Sequence, residues 1–132
     1  MAGLNDKKIQ PVITPKAPAA IGPYSQGISV GEMVFVSGQT PLRADGTLVE
    51  GTVAEQTEQC LQNIREVLLA AGLTMDAVVK TTVYMTDLGK FAEMNEVYAK
   101  RFRAPFPARA TVQVSALPKA AAVEIDAVAV RP

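Results

Sequence analysis

Apolar and polar positions along the chain alternate between two periods. Gly27 to Val30 and Met33 to Ser37 are β-rich runs on either side of Gly31-Glu32, the spacing of a tight hairpin. Ile9 to Ile13 reads as a short first strand, and Pro11 favours a sheet edge because it donates no ladder hydrogen bond. From Val53 the period changes: Val53, Cys60, Leu61, Ile64, Val67, Leu68 and Ala71 recur on one helical face. Thr52 and Glu55 have the spacing of a capping box before that helix, and Gly72 stops it. Val78 to Met85 is β-branched and predicts a strand. Asp87 is the expected cap of a second helix whose buried stripe is Phe91, Met94, Tyr98 and Phe102, ended by Pro105 and Pro107. Arg109 to Ser115 and Ala122 to Val130 alternate as two last strands around a Leu117-Pro118 turn. Thr14 to Gln26 and Gly38 to Gly51 are loops, the second turning at Asp45-Gly46.

The order is three short strands, helix, strand, helix, two strands. That predicts an α+β, split β-α-β domain spanning residues 1–132, with residues 1–8 frayed and two helices covering one face of a mainly antiparallel sheet. The other face carries the interest. Strand side chains alternate, so Ala110, Val112 and Val114 are expected to pack on the helices, with Arg109, Thr111, Gln113 and Ser115 opposite. In the last strand Val123, Ile125, Ala127 and Ala129 oppose Glu124, Asp126, Val128 and Val130. Two adjacent strands would thus present a polar set away from the helices. Val128 and Val130 within it argue for burial against another subunit rather than solvation.

Composition narrows the chemistry. Thirteen basic and thirteen acidic side chains cancel, without the basic excess that nucleic-acid binders use to neutralise phosphates. The chain has no His, which removes the commonest general base, the Ser-His-Asp and Cys-His systems, and every His-containing metal site. Its one Cys, Cys60, lies in the helical apolar stripe and reads as a packing residue. No metal and no cofactor is expected. No apolar run approaches a membrane span, and the polar start has neither a signal-peptide core nor transit-peptide character, so a cytoplasmic protein is expected.

Three stretches carry a family likeness: Ala20-Ile21-Gly22-Pro23-Tyr24-Ser25-Gln26, Phe35-Val36-Ser37-Gly38-Gln39-Thr40-Pro41, and Pro107-Ala108-Arg109-Ala110-Thr111-Val112 followed by Leu117-Pro118 and Val123-Glu124-Ile125. In order and spacing the chain resembles the RidA/YjgF family from about Ile13 to Val130. The resemblance implies a chorismate-mutase-like fold and a homotrimer whose sheets line an inner barrel, with active sites between subunits. It implies hydrolysis of 2-aminoacrylate, 2-aminocrotonate and their imine tautomers to 2-keto acids and ammonia. The family's carboxylate-binding Arg falls on Arg109, the acid that orients water on Glu124, the loop Tyr on Tyr24, the cleft-lining pair on Ser37 and Gly38, and a second-helix Asn on Asn95. Many members have Cys where this chain has Thr111, which removes any thiolate role while leaving a hydroxyl able to hydrogen-bond.

These residue types suit that reaction. Arg holds a carboxylate through two parallel charge-assisted bonds, which fixes the neighbouring imine carbon in place. Glu124 can then accept the proton of an attacking water, while Tyr24 or Thr111 bonds the nitrogen of the tetrahedral intermediate. A free Glu titrates near 4.3. Burial would raise that value and a nearby Arg109 would lower it. Ser37 and Gly38 are expected to act through backbone groups, Gly38 as a position free to take positive φ. Other functions compatible with this reading are a ribonuclease or translation inhibitor, a non-catalytic binder of small carboxylates, and a neighbouring deaminase specificity.

Overall fold

The computed structural model of the chain describes residues 8–132, so residues 1–7 of the expected frayed start lie outside the described residues. Eight regular elements run in the order β1 (Gln10–Val12), β2 (Gly27–Val30), β3 (Met33–Gln39), α1 (Val53–Ala70), β4 (Val78–Met85), α2 (Phe91–Arg101), β5 (Ala108–Gln113) and β6 (Val123–Val130). The strands form one six-stranded sheet in the order β1-β2-β3-β6-β4-β5. Every pairing is antiparallel except β4 with β5. That pair is parallel because α2 carries the chain back across the sheet between them, the connection a parallel pair requires. The fold is the expected chorismate-mutase-like α+β, with both helices packed on one face of the sheet.

Local signals set most of the element ends. Thr52 and Glu55 form the capping box, the Thr52 side chain accepting from the Glu55 amide at 3.1 Å and Glu55 accepting from the Thr52 amide at 3.0 Å. At the far end Gly72 takes φ +80°, and the Leu73 amide reaches back to the Leu68 carbonyl. Val30 pairs with Met33 across Gly31, which takes φ +59° in the hairpin. Pro11 lies in β1, at the sheet edge as its missing donor requires.

The helix stripe is buried as its spacing demands. Cys60, Leu61, Ile64, Val67 and Leu68 have no exposed surface, and they meet Val34, Val36, Val83, Met85, Val123 and Ile125 from the sheet. Each such aliphatic side chain contributes about 1.5–3 kcal/mol through removal from water. β6 alternates as expected, with Val123, Ile125, Ala127 and Ala129 turned to the helices and Glu124, Asp126, Val128 and Val130 half-buried between them. No helix among the described residues is long and apolar enough to cross a membrane.

Three expectations fail, each for a physical reason. Asp87 accepts from Gly89 and caps a short 3-10 turn at Leu88–Lys90, whereas α2 begins after Lys90 with no side-chain cap. Phe91, the first residue of α2, is 38% exposed, and only Met94, Tyr98 and Phe102 of that stripe are buried. The largest correction concerns β5. It is an edge strand separated from β6 by β4, and its register sets Arg109 beside Thr81 and Thr111 beside Val83, both residues that face the helices. Arg109 and Thr111 therefore lie on the helix side, and Ala110 and Val112 are exposed on the other. Alternation separates two sets of side chains without saying which set turns inward. Here the parallel pairing with β4 decides it against the apolar set.

Candidate functional site

The residues singled out in the sequence gather at two places. The first is a cleft of about 440 Å³ lined by Ile21, Tyr24, Gly38, Gln39, Lys119 and Glu124. Tyr24 comes from the loop before β2, Gly38 from the end of β3 and Glu124 from the start of β6. The register of β3 on β6 slips between Val36 and Gln39, a bulge that brings Gly38 against the Glu124 side chain. A Cβ at Gly38 would meet the Glu124 carboxylate, with Cδ at 2.9 Å. Gly38 is not among the glycines with positive φ, so closeness of approach, not backbone conformation, is what requires glycine there. Ser37 is adjacent, but its hydroxyl donates to the Ser25 carbonyl at 2.5 Å and ties β3 to the Tyr24 loop. Tyr24 is 54% exposed, its hydroxyl accepting from the Ile21 amide at 3.4 Å.

Three buried amides, unread in the sequence, hold the walls of this cleft. Gln26 accepts from the Thr14 amide and donates to the carbonyls of Thr14, Ala17 and Pro18, closing the loop that carries Tyr24. Asn63 on α1 donates to the carbonyls of Thr40 and Leu42. Gln56, one turn into α1, accepts from the Ala122 amide and donates to Val49, which anchors the approach to Glu124. Loop backbone that leaves water must find such partners, and here side chains of the scaffold supply them.

Burial pushes the Glu124 carboxyl above its ordinary value, and the nearby Asp126 charge pushes in the same direction. Arg109 makes no contribution to that shift, because it faces the other side of the sheet. Asp126 itself accepts from the Thr82 amide at 3.1 Å and the Tyr84 hydroxyl at 3.2 Å. Burial also raises the Cys60 thiol well above 9.0, consistent with a packing residue.

The second place is a cleft of about 390 Å³ between α2 and β5, lined by Asn95, Tyr98, Ala99, Phe106, Pro107 and Arg109. Arg109 Nη1 donates to Asn95 Oδ1 at 2.8 Å, and its guanidinium lies over the rings of Tyr98 and Phe91. Two residues on, the Thr111 hydroxyl is shielded from solvent and has no hydrogen-bond partner. Within one chain, then, Tyr24, Gly38 and Glu124 line one cleft with Ser37 next along β3, Asn95 and Arg109 line the other with Thr111 further along β5, and the two groups occupy opposite faces of the sheet.

Chemically, the first cleft offers a proton acceptor of raised basicity beside a phenol. The second offers a guanidinium with no acidic partner among the described residues. The model of one protein family, described as Endoribonuclease L-PSP, matches residues 14–131. The chain is 52% identical to the RutC family protein y4sK of Sinorhizobium fredii, over 91% of this chain and 96% of that protein. It is 50% identical to the 2-iminobutanoate/2-iminopropanoate deaminase of Bos taurus, over 91% of this chain and 88% of that protein. Among solved structures, E. coli TdcF with bound serine superposes with a TM-score of 0.89 at 43% identity, covering 93% of this chain and 99% of that one.

Proposed function

The chain belongs to the RidA/YjgF family, whose sequence model bears the description Endoribonuclease L-PSP, and from that premise we propose that it hydrolyses small 2-imino acids to 2-keto acids and ammonia. The observation that carries this reading is Glu124. Its half-buried carboxyl faces a cleft shared with Tyr24, is pressed against a glycine, and has a raised proton affinity, as a general base for water requires. Mammalian relatives named as 2-iminobutanoate/2-iminopropanoate deaminases support the same chemistry.

Arg109 binds the substrate carboxylate through its fork and thereby presents the adjacent C=N carbon. Glu124 orients a water, takes its proton as oxygen bonds to carbon, and leaves a tetrahedral carbinolamine. With the imine protonated on entry, Glu124 returns that proton to the carbinolamine nitrogen, the C–N bond breaks and ammonia departs as Glu124 takes the hydroxyl proton and the carbonyl forms, and the proton then leaves with ammonia as ammonium. Tyr24 is placed to hydrogen-bond the intermediate. Because Arg109 and Glu124 lie on opposite faces of one sheet, a complete site needs two copies: Arg109, Asn95 and Thr111 from one, Tyr24, Ser37, Gly38 and Glu124 from the next. A closed ring of three copies would build three such sites through one repeated interface. Phe35, 43% exposed, and Val112, 40% exposed, offer apolar surface on the sheet face opposite the helices for that assembly.

The test is ammonia release from freshly generated 2-iminobutyrate by wild type and Arg109→Lys. Lys retains the charge but loses the bidentate fork, and a rate loss of about tenfold or more is expected. Wild-type protein that leaves the buffer rate unchanged would overturn the reading. Saturable binding of 2-oxobutyrate without faster release would make the protein a carboxylate binder instead.

A further inference from the structure

Arg109 is held in an unusual way for a strand arginine. Phe91, Asn95 and Tyr98 stand at i, i+4 and i+7 on α2, one face of that helix, and all three meet the guanidinium. Its Cζ lies 4.7 Å from the Tyr98 ring centroid and 5.4 Å from that of Phe91, within the range of cation–π attraction. Asn95 takes one N–H at 2.8 Å. No carboxylate pairs with Arg109 among the described residues.

Tyr98 is itself anchored from two sides. Its hydroxyl and the Thr81 hydroxyl lie 2.7 Å apart in a buried hydrogen bond, and Thr81 is the residue that pairs with Arg109 in the β4–β5 register. Its ring packs on Phe102, with centroids 4.6 Å apart and planes tilted by 40°. Phe91 is the open shoulder of the pair, 38% exposed, while Tyr98 is 4% exposed.

We propose that Tyr98 and Phe91 are positioning residues: their ring faces hold the Arg109 guanidinium beside Asn95 without consuming its hydrogen-bond donors, so that the fork stays free for a ligand carboxylate. This rests on the reading of Arg109 as the carboxylate-binding group. The physical advantage is specific. A guanidinium carries five N–H donors, and a carboxylate partner would hold it still by occupying two of them and cancelling its charge. A π face holds it by its quadrupole, leaves the in-plane donors unused, and leaves the charge for the ligand. Asn95 is neutral and takes one donor. The remaining donors and the full charge open on the cleft between α2 and β5. Thr81, through Tyr98, ties this arrangement to β4, a strand paired on both sides, so the guanidinium inherits the rigidity of an interior strand although Arg109 sits on an edge one.

The experiment measures kcat and KM with 2-iminobutyrate, and the Kd for 2-oxobutyrate by calorimetry, for wild type, Phe91→Leu, Phe91→Tyr, Tyr98→Phe and Arg109→Ala. Phe91→Leu alters a partly exposed side chain, so folding is not at risk, and urea midpoints check the others. Removing the Phe91 ring should raise both KM and Kd about two- to fivefold, the worth of one exposed cation–π contact, with kcat changed less. Phe91→Tyr, which keeps the ring, should stay near wild type. Tyr98→Phe, which keeps the ring and loses the Thr81 anchor, should also raise Kd, by less than Arg109→Ala. Equal 2-oxobutyrate affinity in wild type and Phe91→Leu would overturn the proposal, as would equal losses in Phe91→Leu and Phe91→Tyr, or binding that does not depend on Arg109. Wild type that binds 2-oxobutyrate through Arg109 but releases no ammonia would sink the deaminase reading and leave the clamp standing.

Discussion

Gly38 and Glu124 share a space that holds either a Cβ or a carboxylate, since a methyl at position 38 would lie 2.9 Å from Glu124 Cδ. The bulge in β3 brings the two together, and the contact aims the carboxyl into the cleft that Tyr24 lines. Gly38→Ala should push the flexible end of Glu124 aside at a cost in stability below about 1 kcal/mol, because a side-chain tip yields more readily than backbone. Displacement of a catalytic group by about 1 Å can cost up to 100-fold in rate, so kcat/KM should fall about tenfold or more. Unchanged kcat/KM in Gly38→Ala would show that this pose of Glu124 is not used.

The raised proton affinity of Glu124 has two measurable consequences. Its causes are burial first and the Asp126 charge second. A carboxyl whose folded-state pKa exceeds its ordinary 4.5 adds to stability below that value, and the contribution is lost as pH rises through the folded-state pKa. Glu124→Gln cannot ionise. Its urea midpoint should therefore gain on wild type as pH climbs above 4.5, and a flat difference across that window would contradict the shift. With Glu124 as the base, kcat/KM should rise with pH through a midpoint above 4.5, and that limb should be absent from the residual activity of Glu124→Gln.

Arg109 and Glu124, on opposite faces of one sheet, predict complementation between defective copies. Arg109→Ala and Glu124→Gln should each be nearly inactive alone. Refolded together from equal amounts, random assembly into rings should rebuild intact sites at about one in four interfaces. Recovery of roughly a quarter of wild-type activity is the expected result. No recovery from assemblies shown by mass spectrometry to be mixed would mean that each copy works alone.

Gln26 makes four hydrogen bonds to the backbone of the loop that carries Tyr24. Gln26→Leu preserves much of the volume and strands four backbone groups. A loss of about 2–4 kcal/mol is expected, read from urea unfolding, together with faster proteolysis between residues 14 and 26. Stability within about 0.5 kcal/mol of wild type would mean that water replaces the amide without penalty.

What could be read early and what could not differ in the range of the interactions involved. The capping box at Thr52, the stripe from Cys60 to Leu68 and the hairpin at Gly31 are contacts between near neighbours, and each appears in the structure where its spacing predicts. The alternation of β6 was equally legible, because one of its faces is wholly apolar. In β5 the same alternation misled. Ala110 and Val112 look like core residues, yet they are exposed, and the half-buried pair is Arg109 and Thr111. Tyr98 and Phe91 were visible as a helical stripe, but nothing in their spacing said that an arginine lies against them. Gln26, Gln56 and Asn63 gave no signal either, because a buried amide is recognised by the backbone N–H and C=O groups it meets, and those lie 7 to 66 residues away.

The order of elements, the two helical stripes, the chemical groups available and the family motifs follow from this sequence alone, because they depend on side-chain type and on spacing within a few residues. Which face of β5 turns inward, how Gly38 comes against Glu124, and that Arg109 and Glu124 lie on opposite faces of the sheet were decided by tertiary structure. Those outcomes depend on strand register and on a crossover through α2, and register is set by the sum of long-range contacts, which no local pattern contains.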